Sequence, residues 1–181
     1  MKSKLMVGAM LAALCCGPVL AREKTGWVYN GLTGVGSISQ GDLGDSSLSS
    51  NSNFGYRWGQ FGVEVGHTYF SKFKDQASVG GTTFDVDSKV GGWNAGVDFN
   101  KDLSPRWSLQ GRAGVFAWNS DSRISDGLQQ VSGSDSGRDW YAGGSIDYSW
   151  RKRSSVGFGY TRFQAGDADL SLWGLHSEFR F

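Results

Sequence analysis

Cysteine, proline and long apolar runs are scarce in this 181-residue chain, and each shortage closes off a class of protein. Its two cysteines, Cys15 and Cys16, both fall in the first twenty residues, so a chain trimmed of that segment has no thiol for a disulfide or a metal–thiolate site. With two prolines and no Pro/Ser/Glu tract, disorder is disfavoured, because eight Trp, eleven Phe and six Tyr supply ample surface to bury. The apolar run Leu5 to Leu14 is shorter than the roughly 20 residues of a helical bilayer span, and no other stretch is continuously apolar at that length. Only 39% of residues are apolar, spread thinly among 28 glycines, which disfavours a large α/β core.

What the first residues do contain is a leader. Lys2 and Lys4 precede the apolar run, and Val19-Leu20-Ala21 places short side chains where a signal peptidase reads them, so residues 1–21 are expected to be removed and 22–181 to form one domain. Leu14 and Cys15 stand where a lipoprotein signal wants Gly or Ala, so lipidation is not expected. The mature chain carries 16 Lys and Arg against 17 Asp and Glu, a net charge of −1, and no basic face for nucleic acid follows.

From Trp27 onward, apolar and aromatic residues recur at every second position. One face reads Trp27, Tyr29, Thr33, Val35; Phe54, Tyr56, Trp58; Phe61, Val63, Val65, Tyr69; Trp93, Ala95, Val97, Phe99; Trp107, Leu109, Ala113, Val115; Trp140, Ala142, Ile146, Tyr148, Trp150; Val156, Phe158, Tyr160; and Trp173, Leu175, Phe179, Phe181. That makes eight strands. The opposite face is read as polar and small, with residues such as Asn30, Asn53, Asn94, Gln110 and many glycines. Alternation alone fits a soluble sandwich or a membrane barrel.

Three features favour the barrel. Aromatic residues gather at strand ends as two girdles: Trp27, Trp58, Phe61, Phe99, Trp107, Trp150, Phe179 and Phe181 at one rim, Tyr69, Trp93, Trp140 and Trp173 at the other. Connections alternate between short ones (Trp58–Gln60, Asn100–Arg106, Trp150–Ser154) and mostly longer Ser/Gly/Asp-rich ones, read as loops over Ile38–Ser50, Ser71–Asp87, Asn119–Arg138 and Gln164–Asp169. The chain also stops on an alternating strand, Glu178-Phe179-Arg180-Phe181, of the kind the barrel-assembly machinery reads. The expectation is an all-β, eight-stranded, antiparallel up-and-down transmembrane β-barrel, closed because lipid cannot satisfy an open edge.

Several stretches carry a family likeness: Phe54-Gly55-Tyr56-Arg57 followed by Phe61-Gly62-Val63-Glu64-Val65-Gly66, Leu109-Gln110-Gly111-Arg112-Ala113-Gly114-Val115-Phe116-Ala117-Trp118, Tyr141-Ala142-Gly143-Gly144-Ser145-Ile146-Asp147-Tyr148, and the terminal strand. Over essentially the whole mature chain the sequence resembles the transmembrane domain of the outer membrane protein A (OmpA) family, including small OmpX-type barrels. The resemblance implies export to the outer membrane of a Gram-negative bacterium, contact with its lipid and lipopolysaccharide, and lumenal charges at Glu64 and Arg112. Other basic lumenal positions of the family are replaced here by Gly96 and Gly157. The family's peptidoglycan-binding domain is not expected, nor is a cofactor.

On the inward face, Arg57, Arg112 and Arg180 oppose Glu64, Asp98, Asp147 and Glu178, with His176 beside them. One lumenal network that plugs the barrel is expected, because buried charges persist when paired. Catalysis is not: His176 and Ser177 are adjacent on a strand and face opposite sides, and His67 points to the lipid side with no carboxylate at i±2. The loop aspartates match no calcium-loop spacing, so no metal is expected. Lys101, Arg106, Arg151, Lys152 and Arg153 in the short connections are read as solvating charge. Function is expected to be structural, with surface display; a pore gated by the lumenal charges, or adhesion to a host or surface ligand through Ser71–Asp87 and Asn119–Arg138, are the alternatives.

Overall fold

Strand pairing follows chain order without a crossover. In the computed structural model, which describes residues 25–40, 43–79, 82–125 and 130–181, the strands are β1 (Gly26–Gln40), β2 (Leu43–Trp58), β3 (Phe61–Val79), β4 (Thr82–Asp102), β5 (Trp107–Ser125), β6 (Gln130–Arg151), β7 (Ser154–Ala165) and β8 (Ala168–Arg180). The expected leader, 1–21, lies outside the described residues. Each strand pairs antiparallel with the next, and β1 pairs with β8 from Val28↔Arg180 to Ser39↔Asp169, which closes the barrel. Closure leaves no edge through this wall, so its backbone N–H and C=O groups are satisfied within it.

The start of β1, the end of β8 and the tight turns at Gly59-Gln60, 103–106 and Lys152-Arg153 lie at one end, the base; Phe181 N–H donates to Trp27 C=O there at 3.0 Å. The opposite end, the mouth, carries the β7–β8 turn, where Gly166 adopts φ +60°.

Outside the barrel, the apolar face is bare. Val63, Val65, Val97, Ile146, Phe158 and Leu175 are each about half exposed, and the girdle residues Trp27, Trp58, Trp107 and Trp150 ring the base while Tyr69, Trp93, Trp140 and Trp173 ring the wall nearer the mouth. Trp140 and Trp150 are ten steps apart on β6. At about 3.3 Å per residue and a tilt of about 40°, that separation is a belt about 25 Å tall. An apolar surface of that extent matches a bilayer's hydrocarbon layer and would not persist in water.

The structure corrects two readings of the sequence. Most of Ile38–Ser50, Ser71–Asp87 and Asn119–Arg138 is strand, not loop: β1 and β2 pair up to Gln40↔Leu43, β3 and β4 up to Val79↔Thr82, and β5 and β6 up to Ser125↔Gln130. Hairpin ladders need only backbone partners, and above the girdle a strand has water outside it, so Ser, Gly and Asp are compatible with it. The inward face is also not polar throughout. Leu32, Phe70, Val90, Phe116, Trp118, Tyr141, Phe163, Ala165, Leu170 and Leu172 form one buried apolar cluster in its mouth half. These side chains are shut away from the bilayer and from water alike, so burying them stabilises the barrel as a soluble core would.

Glycine makes space for that cluster. Gly96 pairs with Gly114, and a Cβ on either would collide with the Tyr141 ring or its hydroxyl. The phenol therefore lies across two backbones that offer no side chain.

Candidate functional site: the filled lumen

Every second residue of each strand enters the lumen, which places the charged positions in two sets. Nearer the base, Arg57 is fully buried between two carboxylates, with Nη2 at 2.6 Å from Asp98 and Nη1 at 3.0 Å from Glu178. Its Nε donates to Asp98 at 2.7 Å, whereas the Nη contacts are ion pairs without aligned hydrogen-bond geometry. Arg180, half-buried, holds the other Glu178 oxygen at 2.7 Å. Two guanidiniums therefore share two carboxylates. A buried charge tolerates low dielectric only with such partners.

At mid-height, the second set joins Glu64, Arg112, Asp147 and His176. Arg112 donates to Asn30 at 2.8 Å and to Asn51 at 3.2 Å, and lies 3.9 Å from Glu64, an ion pair at long range. Its Nη2 also stands 3.3 Å from His176 Nε2. Arginine can only donate, so that imidazole nitrogen accepts, and the ring proton sits on Nδ1, which donates to Asp147 at 2.6 Å. Ser145 donates to the other Asp147 oxygen at 2.7 Å. Among the described residues the direct contacts of these charges fall in two sets, which meet across the β4–β5 ladder where Asp98 stands opposite Arg112.

Between the charges runs a ladder of neutral amides. Asn51 donates to Thr68 and to Asn94, Asn53 donates to Asn30 and to Asn51, and Asn94 donates to Asn53. This ladder crosses β1 to β4 and satisfies groups that water would otherwise have to reach.

Tyr141 joins the polar and apolar layers. Its hydroxyl donates to Glu64 at 2.9 Å, while its ring stacks on Phe163 with centroids 5.7 Å apart. Phe163 meets Phe70 and Phe116 edge-on at 5.7 and 5.0 Å. Above them Trp118 lies over the Gly137 backbone, where a Cβ would strike its ring. Its indole N–H donates to Asp139 at 2.7 Å, and the Gly166 amide donates to the same oxygen at 2.8 Å. The Gly166 amide, helped by the indole, holds the Asp139 carboxyl below the ordinary value. Asp139 is two residues beyond Tyr141↔Phe163, the last β6–β7 pair, so it ties β5, β6 and the β7–β8 turn where that ladder ends.

His176 is occupied by Asp147 and Arg112, and His67 faces outward with its ring edge-on to Trp93 at 5.4 Å. The girdle residues Phe179 and Phe181 are exposed at the base. Sequence reasoning missed the inward apolar set; its signal was parity, since Phe70, Phe116, Trp118 and Phe163 fall on the same alternate positions as Glu64, Arg112 and Thr161.

No protein-family model matches the sequence, and no curated protein matches it. Solved structures do match the fold. Ail, the attachment invasion locus protein of Yersinia pestis, in complex with the heparin analogue sucrose octasulfate, superposes with a TM-score of 0.62 at 16% identity, covering 87% of this chain and 99% of Ail. Neisserial surface protein A (NspA) superposes with a TM-score of 0.61 at 12% identity, covering 86% of this chain and 96% of NspA. At such identities the likeness is one of architecture, and on that ground the chain has the fold of the small eight-stranded outer-membrane β-barrels of the OmpA-like type.

Proposed function

We propose that the protein is an integral outer-membrane barrel with a structural role, closed to solutes and without catalysis, exported by a cleaved leader. The observation that carries this reading is the filled lumen: an apolar cluster stacked on hydrogen-bonded charges, inside a wall whose outer belt is apolar. A path for ions would have to disrupt both layers. Outer-membrane lipid and lipopolysaccharide are the partners of the belt, and the assembly machinery is the partner of β8. A heat-modifiability gel on outer-membrane fractions tests the placement. A folded band that shifts on boiling is expected; a soluble periplasmic protein with no shift would overturn it.

A surface-contact role is favoured by one further observation. β2 pairs with β3 only as far as Ser49↔Phe70, and β6 with β7 only as far as Tyr141↔Phe163, yet β3 runs on to Val79 and β6 starts at Gln130. Strands β3 to β6 therefore continue above the girdle as a sheet beyond their pairing with β2 and β7, while the β1–β2 hairpin runs on to Gln40↔Leu43. Ail, of the same fold, was captured with a heparin analogue. Shortening the β3–β4 and β5–β6 hairpins to the girdle should abolish binding to cells or sulfated matrix while the heat-shifted band persists; unchanged binding would leave the structural role alone.

A further inference from the structure

Among the described residues, the cations of the base turns gather on one side, with one acid, Asp102, among them. Lys101, Arg106, Arg151, Lys152 and Arg153 all belong to the turns flanking β5 and β6, whereas the β2–β3 turn, Trp58 to Phe61, contains no ionisable residue. Two of these cations are seated in a way that charge composition does not require. Arg106 donates from Nη1 to the Tyr148 hydroxyl at 3.0 Å, and Arg151 lies 4.8 Å over the Trp150 ring. Tyr148 in turn meets Trp107 edge-on at 5.3 Å.

A β-bulge brings Arg151 there. The β6–β7 register slips between Ser149 and Arg151, so that Ser149 pairs with Ser155 but Arg151 pairs with Ser154. Ser155 is buried on the lumenal side, so its neighbour Ser154 and the paired Arg151 face outward. Counting by twos from lumenal Asp147 would have turned Arg151 into the lumen. The bulge re-aims a cation onto the outer perimeter, a recurrent use of such insertions. Arg106 approaches the same corner from the β4–β5 turn, its carbonyl accepting the Ser149 amide at 2.7 Å. Two exposed guanidiniums thus rest on Tyr148 and Trp150, with Trp107 packed against Tyr148, at the level where, given the membrane placement above, lipid phosphates lie.

We propose that this corner, Arg106 and Arg151 on Trp107, Tyr148 and Trp150, binds the phosphate of an anionic glycerophospholipid in the periplasmic leaflet. The aromatics contact the upper acyl and glycerol region, and the guanidiniums, planar and always charged, take the phosphate oxygens. Lys152 and Arg153, on the turn itself, add field but no seat.

The test uses the refolded mature barrel in micelles, with native mass spectrometry of lipid retention for phosphatidylglycerol against zwitterionic phosphatidylcholine. Wild type is expected to prefer phosphatidylglycerol. Each lost headgroup cation lowers that preference about fivefold, so Arg106→Gln/Arg151→Gln should lower it about 25-fold. Lys152→Gln/Arg153→Gln, which removes the same charge, should lower it much less. Equal losses in the two double variants would show diffuse attraction and overturn the site, as would no preference in wild type or full displacement by excess inorganic phosphate. A heat-shifted band in each sample shows that the barrel is folded, so a failed lipid preference counts against this corner and not against the membrane reading.

Discussion

Tyr141 on β6 reaches across the lumen to Glu64 on β3, three strands away around the wall, and donates its phenol at 2.9 Å. That bond is a strut, because it joins two walls that share no ladder. Tyr141→Phe keeps the ring on Phe163 but leaves one Glu64 oxygen without its donor. The expected cost is about 1–3 kcal/mol in urea unfolding from micelles. Tyr141→Ala also leaves a cavity and should cost more, about 3–5 kcal/mol.

Arg57 is the most exacting position of the lumen. With it gone, Asp98 loses the guanidinium it pairs with and Glu178 is left with Arg180 as its ion-pair partner among the described residues. Breaking a buried pair from one side costs about 3–5 kcal/mol, so Arg57→Met should unfold at markedly lower urea. Arg57→Met/Asp98→Leu, which removes both charges, should recover part of that loss. If the double variant were the less stable of the two, the ion pair would be stabilising in itself.

Phe163 touches Phe70, Phe116 and Tyr141, so its removal loosens the whole apolar layer. Phe163→Ala should cost about 3–5 kcal/mol, and Phe163→Leu about 1.5 kcal/mol or less if the layer repacks. Equal midpoints for Phe163→Ala and wild type would mean that the layer contributes nothing to stability.

Strong acid should release the latch at the mouth. Asp139 has its pKa lowered in the folded barrel, first by the Gly166 amide and then by the Trp118 indole. Its contribution is complete above the unfolded-state value of about 3.9 and disappears as pH falls through the lower folded value. The Gly166 amide resonance should titrate with a midpoint below that of a free Asp, and Asp139→Asn should abolish the titration. A midpoint at or above the free value would remove the latch.

Period two was sufficient to tell which side of the wall Trp140, Ile146 and Tyr148 occupy, and hence to reach a barrel, because the strand repeat is set by backbone geometry. What the side chains meet was less accessible. Phe70 and Glu64 occupy the same face of β3, and nothing in their spacing says that one enters an apolar layer and the other a charged one. The projecting hairpins look like loops in the sequence because Ser, Gly and Asp serve equally in turns and in strands wetted outside. The bulge before Arg151 is one extra residue, invisible to alternation until the register with Ser154 and Ser155 is known. Asp139 joins Trp118 and Gly166 from three separate segments, a meeting that only closure of the barrel brings about.

The central claim is that the lumen is sealed by two layers, and single-channel recording of the refolded mature barrel in planar bilayers tests it most directly. Wild type should show no resolvable steps under conditions where the gel shows a heat-shifted band, and Glu64→Ala alone should stay silent because the apolar layer above it is intact. Reproducible openings of the wild-type barrel would contradict the sealed lumen and make the charged positions parts of a gate.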